Sequence, residues 1–170
     1  MTSRFTNRTG GVSTGAFASL NLGTHVGDDL ESVTQNRAIV EKSVGPIQFM
    51  NQVHGDRIAI IEGVTDVDPT ADALVTGIRG ITLAVQVADC IPLLLNSREV
   101  VAAVHVGRRG LVNEITRKTI SLMREMGAQG ISAIIGPAIC GSCYEVSQEI
   151  FDEVVGLHPF ADRKSTRLNS

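Results

Sequence analysis

Apolar positions fall in short runs separated by polar or glycine-rich turns, and the spacing within each run predicts its element. Val33, Ala38, Ile39 and Val40 give residues 30–44 one apolar side, so a helix is expected there, capped by Asp28 or Asp29. Residues 47–53 and 57–62 read as short strands on either side of the turn His54-Gly55-Asp56. Residues 80–87 are almost continuously apolar and rich in β-branched side chains, the pattern of a buried strand. Residues 93–95 and 100–104 predict a hairpin about the polar turn Asn96-Ser97-Arg98-Glu99. Val112, Ile115, Leu122 and Met126 predict a helix over 111–126 closed by Gly127, and 131–135 and 147–155 read as a buried strand and a short helix. Residues 4–15 are turn-rich and run into Ala18-Ser-Leu-Asn-Leu-Gly23, which reads as a loop rather than a regular element. Apolar periodicity stops after Phe160, so one domain is expected over 1–160, with 161–170 a non-native tail. Strands and helices alternate without strict βαβ order, which points to an α+β fold with mixed sheets.

Composition narrows the partners. With 43% hydrophobic and 19% charged residues, the chain of 170 residues is expected to bury the core of one domain. A net charge of −3 offers no general attraction to nucleic acid or to an anionic membrane, and one Tyr with no Trp leaves few rings for base stacking. The longest apolar segment, 81–95, is interrupted by Gln86, Asp89 and Pro92, and the N-terminus has no signal-peptide stretch. Three cysteines, an odd number, suit a reducing cytoplasm better than a disulfide framework. The expected protein is cytoplasmic, with no nucleic-acid or membrane partner.

The hairpin brings chemistry into view. A turn centred between Ser97 and Arg98 sets Cys90 directly opposite His105, with Cβ atoms about 5 Å apart, close enough to share one metal ion. A one-residue slip would put them on opposite faces. Thiolate and imidazole are zinc's preferred ligands, and His54, beside the permissive Gly55, is the best third ligand. The same residues also read as a buried cysteine with two hydrogen-bonded histidines, as a copper site, or as a cysteine nucleophile with His105 as base. Cys140-Gly-Ser-Cys143 has no second CxxC and no thioredoxin-like surroundings, and reads as two buried or strand-end residues. His25 reads as a residue making a loop or helix-start hydrogen bond, with a site role near the substrate as the alternative, and His158 as a surface one. No GxGxxG or GxxxxGK[ST] occurs.

Seven motifs then occur in order: Arg8-Thr-Gly-Gly-Val-Ser, Ser19-Leu-Asn-Leu-Gly, His25-Val-Gly-Asp-Asp, Asn51-Gln-Val-His-Gly, Ala88-Asp-Cys-Ile-Pro, Val104-His-Val-Gly-Arg-Arg-Gly and Ile135-Gly-Pro-Ala-Ile. As a set they resemble the YfiH/DUF152 family, called laccase-domain or polyphenol oxidase proteins and described as purine nucleoside phosphorylases. The resemblance covers residues 2 to about 155. It implies a layered α/β/β/α fold with mixed sheets and a catalytic metal centre made by His54, Cys90 and His105. It also implies phosphorolysis of adenosine, inosine and methylthioadenosine with phosphate, and hydrolytic deamination of adenosine. Zn2+ is the expected metal, with Cu2+ the alternative behind the older name. Within that reading, Arg8, Arg37 and Arg109 are the cations for phosphate, and Gln52 and Asp89 flank the ligands and contact imidazoles or substrate. Two departures stand out. Arg108 occupies a position where the family usually carries Trp, and family members continue further, so an inactive binding fragment is a further reading.

Overall fold

The computed structural model describes residues 2–161; the rest of the tail expected over 161–170 lies outside the described residues. Helix α1, Leu30–Val44, starts at Asp29, whose carboxylate accepts the Ser32 N–H at 2.9 Å, and ends at Gly45 with φ 82°. The neighbouring Asp28 does not cap the helix. Its carboxylate accepts hydrogen bonds from Ser13 Oγ at 2.6 Å and Asn21 Nδ2 at 2.9 Å, tying two stretches of the N-terminal loop together. Buried Asn36 on α1 joins the same network through Ser13 and the Ser19 and Asn21 carbonyls.

Seven strands follow: β1 Ile47–Gln48, β2 Ile58–Ile60, β3 Ala73–Thr76, β4 Thr82–Leu83, β5 Ile91–Asn96, β6 Val101–Val106 and β7 Ser132–Ile135. They form a five-stranded sheet in the order β2-β3-β6-β5-β7 and a separate β1–β4 pair. β2 and β3 run parallel and the other neighbours in the large sheet antiparallel, so the sheet is mixed as expected. Helices α2, Arg108–Val112, α3, Ile115–Glu125, and α4, Gln148–Leu157, complete the chain. Strand alternation divides the core. Ala73, Val75, Leu93, Leu95, Ala102 and Val104 face α3, which buries Ile115, Thr119 and Met123 one turn apart. On the opposite face Leu74 packs with Met50, Ile61 and Ala71 and against Ile81, Leu83 and Val85, which belong to the β4 layer. His105, two residues along from Ala103, lies on this second face.

Several expectations are corrected. The hairpin turn is centred between Arg98 and Glu99, because Ser97 Oγ accepts the Val100 N–H at 2.9 Å while its own backbone N–H bonds Val100 O. The register therefore puts Pro92, not Cys90, opposite His105. That two-residue shift preserves the face, so Cys90 becomes a diagonal neighbour on the same side. The predicted helix over 111–126 is two helices, broken at Glu114, which adopts left-handed φ 58°. The expected strand over 80–87 pairs only at Thr82–Leu83; beyond it the Gln52 side chain replaces a strand, donating to Gln86 O at 2.7 Å and accepting the Gln86 N–H at 2.9 Å. β7 is an exposed edge rather than a buried strand, with Ile135 68% exposed. β3 is an element that the apolar pattern did not predict.

Candidate metal centre

Three segments converge on the second face of the sheet, the one turned away from α3. β6 carries His105, the turn before β5 carries Cys90, and the loop between β1 and β2 carries His54. One donor atom from each lies within 4.8 Å of the others, and Cys90 Sγ and His54 Nε2 are 3.8 Å apart. The His54 and His105 rings meet edge to face with centroids 4.7 Å apart. His105 is buried and His54 exposed, so the cluster sits at the mouth of a cavity rather than inside the core.

Asp72, the residue before β3, organises the centre, and the sequence pattern did not single it out. Its fully buried carboxylate receives His105 Nδ1–H at 2.8 Å. It also accepts the backbone N–H of His54 at 2.9 Å and of Gly55 at 2.8 Å. One carboxylate thus orients one imidazole and holds the backbone beneath the other, with His54 kept at left-handed φ 59°. Burial works against the charge on Asp72, but the His105 ring and the Gly55 and His54 N–H groups outweigh it, and its pKa lies below the ordinary carboxylate value. With Nδ1–H committed to Asp72, His105 turns the Nε2 lone pair towards Cys90 and His54, an arrangement that metal-bound histidines share. Burial, reinforced by Asp89 and Asp72, pushes the Cys90 thiol up, so without a cation it is a poor nucleophile.

Gly107 supplies the room. It follows β6 and faces Cys90 across the extended ladder, and a Cβ there would lie 3.0 Å from His54 Cδ2 and 3.3 Å from Cys90 Sγ. A two-imidazole, one-thiolate set with an oriented ring and a space that a methyl group would fill suits a metal ion of zinc or copper type.

A cleft of about 1690 Å³ opens from the cluster, and Arg8, His25, Gln52, Asp89 and Pro137 are among its lining residues. The Arg8 guanidinium is anchored on the Ala18 carbonyl at 2.7 Å. Arg37 is spent elsewhere: it pairs with Asp68 at 2.9 Å, donates to Leu22 O and stacks on Phe49. Arg109 lies exposed on α2, outside the cleft lining. Arg108 pairs with Glu153 of α4 at 2.8 Å. His158 is half-buried and donates to Leu111 O, tying the end of α4 to α2. Cys140 and Cys143 are both exposed, against the expectation of buried or strand-end residues.

A family model described as "Multi-copper polyphenol oxidoreductase laccase" matches residues 2–169. The chain belongs to this family. A relative named purine nucleoside phosphorylase from Streptomyces coelicolor is 45% identical over 168 residues, covering 92% of this chain and 69% of that protein. One of the same name from Corynebacterium glutamicum is 43% identical, covering 96% and 71%. Among solved structures of this YfiH/DUF152 family, a DUF152 protein from Neisseria meningitidis aligns with TM-score 0.80 and 40% identity over 91% of this chain. YlmD from Geobacillus stearothermophilus aligns with TM-score 0.79 and 33% identity over 96%. The chain spans 64% and 67% of those two structures' lengths.

Proposed function

We propose that this chain is a zinc-dependent purine nucleoside phosphorylase, acting on adenosine, inosine and methylthioadenosine and also deaminating adenosine. The observation that carries this reading is the convergence of His54, Cys90 and His105 donor atoms within 4.8 Å, with His105 oriented by Asp72. The curated relatives named purine nucleoside phosphorylase supply the reaction class. His54, Cys90 and His105 would hold the metal, and as a Lewis acid it supplies a lowered water pKa and stabilises developing negative charge.

The chain's own groups do the rest. Phosphate attacks the ribose anomeric carbon as the bond to the purine nitrogen breaks, and the purine leaves with the bonding electrons. Arg8, anchored on the cleft wall, is the cation assigned to phosphate, because a guanidinium matches two phosphate oxygens at once. Arg37 and Arg109, which do not line the cleft, are not assigned that role. Asp89 lines the cleft beside Cys90 and is assigned to the nucleoside. Gln52 spends its amide on the Gln86 backbone and so positions the segment leading to Cys90 rather than the substrate. Zinc is preferred to copper because zinc takes imidazole and thiolate donors in three-ligand catalytic sites, and none of the described methionines lines the cleft to add a thioether.

Metal content, measured together with purine release from adenosine and inosine with and without phosphate, tests the reading. Near-stoichiometric zinc and phosphate-dependent release, both lost in Cys90→Ala, is the expected result. Turnover that survives chelation and Cys90→Ala would overturn the proposal, and oxygen consumption with bound copper would replace it with the oxidase reading.

A further inference from the structure

Residues 136–139 prolong the β5–β7 pairing beyond β7. Gly136 N–H donates to Pro92 O at 2.9 Å and Ile139 N–H to Asp89 O at 3.0 Å, so this stretch runs alongside the segment that bears Cys90. The chain then folds into a tight turn, Cys140-Gly-Ser-Cys143, closed by a hydrogen bond from Cys143 N–H to Cys140 O at 3.0 Å. A turn closed this way brings its end Cα atoms within about 7 Å, the span that a disulfide bridges without backbone movement. The two Sγ atoms already lie 3.0 Å apart, both are exposed, and Ser142 Oγ is 3.0 Å from Cys140 Sγ. We propose that Cys140 and Cys143 are a redox-active dithiol that closes to an intramolecular disulfide by exchange with a low-molecular-weight disulfide of the glutathione type.

The roles of the two sulfurs differ. Hydrogen bonds from the Ser142 hydroxyl and the Cys143 thiol, and then the N–H groups of Cys143 and Ser142, bring the Cys140 pKa down to about 7. A thiol titrating near ambient pH combines abundant thiolate with strong nucleophilicity. The Cys140 thiolate attacks one sulfur of the external disulfide, whose S–S bond breaks and releases one small thiolate. Cys143, giving up its proton to water, attacks Cys140 Sγ of the mixed disulfide and releases the second. The protein dithiol loses two electrons and two protons, and the external disulfide leaves as two thiols. Cys90 takes no part: its thiol is half-buried and pushed up, the opposite of what exchange requires.

Trypsin places both cysteines on one peptide, residues 125–163, apart from Cys90. The intact chain is incubated with oxidised glutathione at pH 7, quenched in acid, alkylated and digested. The expected peptide has lost two hydrogens and takes up no alkyl group, whereas the untreated peptide takes two. Cys143→Ser is expected to stop at a stable glutathione adduct on Cys140, and Cys140 in reduced protein to alkylate at pH 7 on the order of tenfold faster than an unperturbed cysteine. Two alkylatable thiols on the treated wild-type peptide, or a wild-type adduct that never resolves, would overturn the proposal. Because this readout needs neither metal nor nucleoside, it stands or falls separately from the phosphorylase reading.

Discussion

Asp72 Oδ1 lies 2.8 Å from His105 Nδ1, and the same buried carboxylate receives the backbone N–H of His54. Two of the three donors thus depend on one side chain. Asp72→Asn keeps the shape but removes the charge that holds the imidazole, and an amide must present its oxygen both to the ring and to the loop. Zinc affinity is expected to fall by about 10–100-fold, the usual cost of losing a group that orients a metal-bound histidine. Competition with a chromophoric chelator measures this directly; unchanged affinity would remove Asp72 from the centre.

Gly107 gives a cleaner steric test. Its φ of −78° and ψ of 173° are open to any residue, so Gly107→Ala introduces no backbone strain. The added methyl group instead meets His54 Cδ2 at 3.0 Å and Cys90 Sγ at 3.3 Å. Metal affinity and turnover are expected to drop at least about tenfold while the metal-free protein keeps its thermal midpoint to within a few degrees, as for a change of about 1 kcal/mol or less. A variant that binds zinc as tightly as wild type would show that the space beside Gly107 is not the metal's.

Cys90 and His105 were legible as neighbours because they belong to a hairpin whose two-residue period puts them on one face whether the turn is centred one place earlier or later. Asp72 was not legible, since nothing in Thr70-Ala71-Asp72-Ala73 separates a buried anchor from a loop aspartate; its role comes from β3 packing beside β6, a pairing across some thirty residues. The long helix expected over 111–126 failed for a local reason. A Cβ at Gly110 would meet Ile115 Cγ2 at 3.2 Å and His105 O at 3.4 Å, so α2 lies tight against the end of β6, and the chain turns at Glu114, with φ 58°, before α3 begins. Apolar spacing survives such a break and does not reveal it.

The N-terminal loop should give the protein an acid-sensitive step. Hydrogen bonds from Ser13 and Asn21 hold Asp28 below its ordinary value of 3.8, and Asp29 is lowered likewise by the Ser32 N–H and hydroxyl. A carboxylate whose folded pKa is depressed stabilises the fold above its unfolded pKa, and that contribution is lost as pH falls through the folded value. The thermal midpoint is therefore expected to fall below about pH 4, with a shallower acid limb in Asp28→Asn. Identical limbs in variant and wild type would show that the Ser13–Asp28–Asn21 contacts add nothing to stability.

Gln52 makes the last prediction, because it separates holding the site from touching substrate. Its amide exchanges two hydrogen bonds with the Gln86 backbone, where the β1–β4 ladder has run out. Gln52→Ala leaves that backbone to water, at a cost of about 1 kcal/mol for the half-buried pair. Segment 84–90 is then free to move, and Cys90 moves with it. Faster hydrogen exchange across 84–90 and weaker zinc binding are expected together, with KM for nucleoside unchanged once the metal is saturating. A large rise in KM with undisturbed exchange would instead place the Gln52 amide on the substrate.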